Sequence, residues 1–278
     1  MAANKLSNIL RPMHNIPQQT RYLSKPVPIS STFLKGPPAK PITVQPIPFA
    51  ASSVPEYDGA TAVILDNVLS PLECQQLLHL AESSVSLDEE HASPWRPALV
   101  NMGVGWEVAI ADYRNSDRII WDEQTIVDRL WDRCLQADGI EEMFSKTPED
   151  NDELMGRWVF ERVNERMRFL KYTPGHFFKP HCDGSYGYEK DGAEIRTHYT
   201  VHLYLNDSAK ESPTGEGHLG GATSFLSRNE KRRHDVNPKA GSVLIFQHKR
   251  LYHEGAEVTS GVKYTMRTDI LYRWKSRK

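Results

Sequence analysis

The sequence predicts an α+β protein, with helices first and a barrel or jelly-roll of strands after them. Three observations carry this. Helical periodicity is confined to the region before residue 155, alternating apolar residues dominate after it, and the strand-like runs are joined by connections rich in Gly, Asn, Asp and Pro. No internal repeat is visible. The division is an arm over residues 1–55, a helical support region over 56–154 belonging to the same domain, and a strand-built core over 155–278.

The arm is set apart by composition. It holds 10 of the 18 prolines and six basic residues (Lys5, Arg11, Arg21, Lys25, Lys35 and Lys40), and the first acidic residue is Glu56. Prolines remove backbone donors and forbid helix, so an extended or disordered arm is expected. A solvated tail is one reading. A mitochondrial transit peptide over residues 1–23 is the other, since such segments are basic, Ser-containing and acid-poor. No apolar h-region suggests secretion. The expected location is cytoplasmic, with the mitochondrial matrix as the alternative.

Folded structure is expected from about Ala60. Ala62–Leu65 is a short apolar strand. Ser70-Pro71-Leu72-Glu73 is a capping box with proline at the first helical position, and the helix it opens fades near Ser83. A second helix is expected from about Asp122 to Gln136, where Ile126, Leu130, Trp131 and Leu135 recur at helical spacing. The later strands are Arg166–Tyr172, His198–Asn206, Gly241–Phe246 and Lys263–Tyr272.

Composition limits function. Lys and Arg number 34 against 36 Asp and Glu, a formal net charge of −2, which speaks against a dedicated nucleic-acid binder. No stretch approaches the ~20 apolar residues of a membrane span. Cys74, Cys134 and Cys182 are far apart and odd in number, so they form no disulfide framework and fit a reducing compartment.

The informative segment is Tyr172-Thr-Pro-Gly-His-Phe-Phe-Lys-Pro-His181-Cys182-Asp183. On a strand, residues two apart share a face, so His181 and Asp183 converge while Cys182 packs on the other side. One imidazole and one carboxylate are two thirds of the facial triad of non-haem Fe(II) oxygenases. Alone, H-x-D is a weak signal. His253, in Leu251-Tyr-His-Glu-Gly255, supplies a second histidine on a later strand. Lys263 follows ten residues on, where a buried cation could hold the distal carboxylate of a keto acid.

At these residues the sequence resembles the Fe(II)- and 2-oxoglutarate-dependent dioxygenases, in their prolyl 4-hydroxylase-like branch. The resemblance runs from about Arg166 to Tyr272. It includes Tyr172-Thr-Pro-Gly with Phe178-Lys-Pro-His181-Cys-Asp183, Leu203-Tyr-Leu-Asn206, Gly220-Gly-Ala-Thr-Ser-Phe225, Pro238-Lys-Ala-Gly-Ser-Val-Leu-Ile-Phe246, and His253 with Lys263. It implies a double-stranded β-helix with His181, Asp183 and His253 binding Fe(II). It also implies Lys263 on the 5-carboxylate of 2-oxoglutarate, helped by Tyr172 and Tyr204. The implied chemistry is hydroxylation of an unactivated C–H bond by dioxygen, with release of succinate and CO2 and with ascorbate as an optional reductant. The substrate would be an amino acid, another small metabolite or a peptidyl residue. Retention of Asp183 disfavours halogenation.

Other residues are ambiguous on sequence. Arg267 shares a strand face with Lys263 and either assists it with 2-oxoglutarate or pairs with Asp269. His202 is in phase with Tyr204, and it and Asp269 are candidate substrate contacts. His176 and His198 read as surface residues and His248 as a loop residue. The run Arg228–Arg233 reads as a solvated hairpin, Asp112–Arg118 as a polar loop at the pocket mouth or a merely hydrogen-bonded one, and Glu141–Glu153 as an acidic surface loop. Two other function classes compete with the oxygenase. A non-catalytic metal-binding β-helix would show a missing ligand, and a zinc hydrolase on the same ligands leaves Lys263 and the glycine pair unexplained.

Overall fold

The computed structural model describes residues 17–87, 92–103, 105–145, 147 and 155–276. In chain order come β1 (Gln18–Gln19), β2 (Thr43–Pro46), β3 (Ala62–Asp66), α1 (Pro71–Ser83), β4 (Arg96–Pro97), β5 (Val100–Gly103), β6 (Trp106–Val108), β7 (Arg114–Asn115), β8 (Asp117–Asp122), α2 (Gln124–Cys134) and α3 (Ile140–Phe144). The strand-rich part follows: β9 (Gly156–Val163), β10 (Arg166–Tyr172), β11 (Phe177–His181), β12 (Gly187–Lys190), β13 (Ala193–Tyr204), β14 (Leu219–Gly220), β15 (Thr223–Leu226), β16 (Arg233–Val236), β17 (Val243–Gln247), β18 (His253–Gly255), β19 (Val258–Ser260) and β20 (Lys263–Ser276).

Eight of these strands make the barrel. One sheet orders them β17-β13-β20-β10 and the other β16-β15-β18-β11, with antiparallel pairing throughout. Counted along the chain, the first strand sits beside the last in one sheet, and the second beside the seventh in the other. That wiring is the double-stranded β-helix, a jelly roll. The two sheets face each other, as the edge-to-face contact of Phe225 on β15 with Phe246 on β17 shows, at 5.6 Å. β3 and β2 extend the large sheet beyond β17, and β8 and β4 extend it beyond β10.

Alternation decides which residues serve the site. On β13 and β20, Val201, Leu203, Met266 and Ile270 point away from the barrel into the main apolar core, against Leu77 and Leu80 of α1 and Ile126, Leu130 and Trp131 of α2. Their neighbours His202, Tyr204, Thr265 and Arg267 therefore point inward. The helices are covers for the outer face. Each large apolar side chain buried there contributes about 1.5–3 kcal/mol. Ser70 accepts from the Glu73 backbone N–H and Glu73 returns the bond, so the expected capping box closes α1. Arg133 of α2 then reaches back to Glu73 at 2.7 Å, tying the two helices together.

Several expectations need correction. The described part of the arm is packed, not disordered. β1 pairs with β6 and β2 with β3, while Phe33, Leu34, Ile47 and Phe49 are buried. Proline content does not prevent this, because β2 is a sheet edge where a missing donor costs no ladder bond. Residues 1–16, most of the transit-peptide candidate, lie outside the described residues. The 56–154 region is not purely helical, since it supplies β4 to β8 and β8 pairs with core strand β10. Its sequence, Asp-Arg-Ile-Ile-Trp-Asp, has a continuous apolar run without alternation. Much of Glu141–Glu153 also lies outside the described residues. Among the described residues, no helix is long and apolar enough to cross a membrane.

One turn sets how closely β17 approaches the start of α1. Gly241 has φ +79°, and a Cβ there would lie 1.8 Å from the carbonyl oxygen of Leu69. Gly241→Ala is expected to destabilise the protein by about 3 kcal/mol or more, from backbone overlap plus left-handed strain. Chemical denaturation measures this, and a loss below about 1 kcal/mol would show that the turn gives way freely.

Candidate metal centre

β11 and β18 lie side by side, and their register sets His181 opposite His253. The two rings come within 4.5 Å centroid to centroid. In each, Nδ1 donates to a backbone carbonyl two residues back: His181 to Lys179 at 2.8 Å and His253 to Leu251 at 3.0 Å. The Nε2 lone pairs are thereby left for a metal. His181 Nε2 is 3.5 Å from Asp183 Oδ1, and His253 Nε2 is 3.9 Å from Oδ2. The ligand atoms of all three residues lie within 4.8 Å of one another. Burial, with His181 alongside, pulls the His253 pKa down to about 4, so its imidazole is neutral and ready to ligate. The donor set and orientation fit an Fe(II) facial triad.

The local strand geometry differs from expectation in one respect. β11 ends at His181, so Asp183 reaches the site from the segment just past the strand rather than by alternation within it. Cys182 is consequently exposed instead of packed in the core.

Asp183 is buried, which alone would raise its pKa. Arg267 and the two histidines overcome this and hold the carboxyl well below the usual carboxylate range. Arg267 Nη1 lies 2.8 Å from Oδ1, and the Thr200 hydroxyl donates to Oδ2 at 2.5 Å. Arg267 also donates to Asp269 at 3.2 Å, and Asp269 in turn holds Arg168 at 3.0 Å, with His248 Nε2 at 3.4 Å. These contacts bear out one of the two readings of Arg267, its pairing with Asp269. Arg267 is engaged by two carboxylates around the metal centre, and four strand residues, about 13 Å, separate it from Lys263. Asp269, buried and gripped by three partners, anchors Arg267 and is not a free substrate contact.

Lys263 occupies the opposite end of the barrel lane. It is 2% exposed, opposite Tyr172 in the register, with Nζ 5.1 Å from the Tyr172 ring and 5.9 Å from the Tyr204 ring. No described carboxylate forms an ion pair with it. Burial alone lowers its pKa to about 7. Tyr204 donates to Thr223 at 2.8 Å, which places the Gly-Gly-Ala-Thr segment against this pocket. Gly221, at φ +73°, packs closely on the lysine, since a Cβ would stand 3.0 Å from Lys263 Cδ. A buried ammonium with no ion-pair partner among the described residues has the chemistry to take a carboxylate.

His202 points into the space between the two ends. Its ring lies 5.0 Å from Tyr204, its buried Nε2 has no partner, and burial, Lys263 and Arg267 hold its pKa well below the usual histidine range. His198 is buried rather than at the surface, and His248 lies in the loop after β17 as expected, but buried. His198 packs on Trp158 at 4.9 Å and Tyr272 at 5.4 Å. Thr200, Thr223, Arg168 and Arg114 were missed on sequence. Thr200 is two residues from His202 in the same alternation, a usable signal. The others depend on contacts between distant strands.

Residues 167–268 match the 2OG-Fe(II) oxygenase superfamily. The matched stretch runs from β10 into β20 and takes in all three converging ligands and Lys263. The curated Prolyl 4-hydroxylase 1 of Arabidopsis thaliana is 23% identical over 214 residues, covering 73% of this chain and 66% of that protein. This chain thus spans slightly less than two thirds of that relative's length. A Pseudomonas putida prolyl-4-hydroxylase structure is 18% identical with a TM-score of 0.46, covering 83% of this chain and 99% of its own. A Trichoplax adhaerens prolyl hydroxylase, solved with a hypoxia inducible factor oxygen degradation domain peptide fragment, is 18% identical with a TM-score of 0.48. That match covers 80% of this chain and 88% of the other.

The Thr200 hydroxyl orients Asp183 without touching a metal itself. Thr200→Val is expected to raise the dissociation constant for Fe(II) by roughly 10- to 100-fold, read by anaerobic metal titration. Unchanged affinity would show that Arg267 alone orients the carboxylate.

Proposed function

We propose that the protein couples oxidation of 2-oxoglutarate to succinate and CO2 with hydroxylation of a C–H bond. The substrate is an amino acid, another small metabolite or a peptidyl residue. The observation that carries this is the pairing of a convergent His181, Asp183 and His253 with one buried, unpaired lysine at the other end of the same barrel. Fe(II) bound there, with 2-oxoglutarate and dioxygen, would supply the oxidising chemistry. The chain's own residues position and select.

Lys263 receives the distal carboxylate of 2-oxoglutarate, with Tyr172 and Tyr204 as the walls that desolvate it. A charge-assisted bond in such a site contributes about 1.5–3 kcal/mol. Thr200 and Arg267 keep Asp183 ionised and aimed. His202, neutral and unpartnered, offers one polar atom between the cosubstrate and the metal. The barrel walls exclude bulk water from this lane, which strengthens each of these contacts.

The direct experiment measures succinate formed from 2-oxoglutarate with Fe(II), ascorbate and oxygen, comparing wild type with His253→Ala. Loss of a metal ligand is expected to lower the rate by ~100-fold or more. An enzyme that turns over equally well without His253, or a wild-type protein that binds neither Fe(II) nor 2-oxoglutarate under anaerobic conditions, would sink the reading.

Lys263 gives a second prediction, through protons. Its folded pKa of about 7 lies below the ordinary 10.5, so the free folded protein binds this proton less readily than the unfolded chain. The stability penalty is complete below about pH 7 and fades as pH rises toward 10.5. A carboxylate beside the amine restores the proton. At about pH 8.5, binding of 2-oxoglutarate should take up close to one proton, seen by calorimetry in buffers of different ionisation enthalpy. Lys263→Met should abolish that uptake. No uptake in wild type would mean that the carboxylate is held elsewhere.

A further inference from the structure

The charges that line the barrel do not balance. Arg114, Arg168, Arg267 and Lys263 gather around the centre, and the carboxylates among them are Asp183 and Asp269. Fe(II) and the 2-oxoglutarate dianion cancel each other, so the loaded centre keeps an excess of two positive charges. Three of the four cations have assignments: Lys263 faces the cosubstrate, Arg267 grips Asp183 and Asp269, and Arg168 grips Asp269. Arg114 has none.

Arg114 sits on β7, the edge strand beside β11, in register with Phe178. Its guanidinium lies 4.6 Å above the Phe178 ring, and that ring stacks at 3.9 Å on the ligand His181. The guanidinium is therefore one aromatic ring removed from the metal centre. No described carboxylate comes within ion-pair distance of it, and its buried Nε has no hydrogen-bond partner. The charged or ionisable groups that act on it most are Tyr172, Arg118, Arg267 and Arg168, and Arg118 is already neutralised by Glu107 at 3.0 Å. An unpaired arginine in such a setting is costly unless something anionic completes it. Its planar fork suits a carboxylate bound through two parallel bonds.

We propose that Arg114 anchors a carboxylate of the substrate, so that the enzyme hydroxylates an anionic molecule whose acid group lies close to the oxidised carbon. The inference rests on the oxygenase reading above and narrows its substrate class. Neutral and cationic substrates would leave the excess charge uncompensated.

The test uses the full chain, loaded anaerobically with Fe(II) and 2-oxoglutarate, and follows the visible charge-transfer absorption of that complex. Benzoate and benzamide are titrated as probes of equal shape and different charge. Benzoate should shift the band saturably and benzamide should not. Arg114→Gln should weaken benzoate at least tenfold, about 1.4 kcal/mol, and Arg114→Lys should restore part of the loss. The inference is overturned if benzamide acts as benzoate does, if benzoate shows no saturable effect, or if it erases the band by displacing 2-oxoglutarate. It is likewise overturned if both Arg114 variants bind benzoate as tightly as wild type. Absence of the band in wild type before any probe is added is a different result, and it removes the oxygenase reading itself together with this inference.

Discussion

The ion pair between Arg267 and Asp183 is the contact on which the rest of the centre depends. A carboxylate this deeply buried would otherwise take a proton, and a protonated Asp183 is a poor metal ligand. Arg267 can hold it only because Asp269 holds Arg267, and Asp269 is held in turn by Arg168 and His248. The chain of alternating charges spans β20 and β10, neighbours in the large sheet. Breaking one link would leave a buried charge unpaired, a loss of about 3–5 kcal/mol in comparable sites.

The barrel wiring turns this chain into a site with two ends. Because β20 carries Lys263, Arg267 and Asp269 on one face, a single strand presents a buried lysine at its start and the clamp on Asp183 further along. The histidines come from the opposite sheet, where β11 and β18 set them in register. Neither sheet alone holds the centre. The helices pack behind the large sheet, on the side away from the barrel.

Much of this was legible in the sequence, for physical reasons that differ residue by residue. Arg166–Tyr172 alternates cleanly because one side meets the helices and the other the barrel, and the strand matches the expectation at both ends. The capping box at Ser70 is a local interaction and could be read locally. His181, Asp183, His253 and Lys263 were found because their residue types and spacing are constrained by chemistry. The double role of Arg267 was not decidable, since Lys263 and Asp269 lie on the same face and only three-dimensional packing shows which carboxylates it meets. Arg114 lay within the polar run Asp112–Arg118 but could not be singled out there, because its partner Phe178 arrives from a strand more than fifty residues away. The arm was misread because proline content reports what a segment cannot form, and an edge strand asks little of its donors.

The place of β20 in the sheet has a consequence for how the protein is made. This strand pairs with β10 over Lys263–Arg267, with β13 over Thr265–Arg273 and with β9 over Ile270–Ser276, so the large sheet has a central gap until it docks. Its pairings join residues far apart in the chain, Arg168 with Arg267 and Thr200 with Asp269, so closing the large sheet is a slow, long-range step. The clamp on Asp183 and the lysine pocket come into being together in that step, and neither can be assembled ahead of the sheet that carries both.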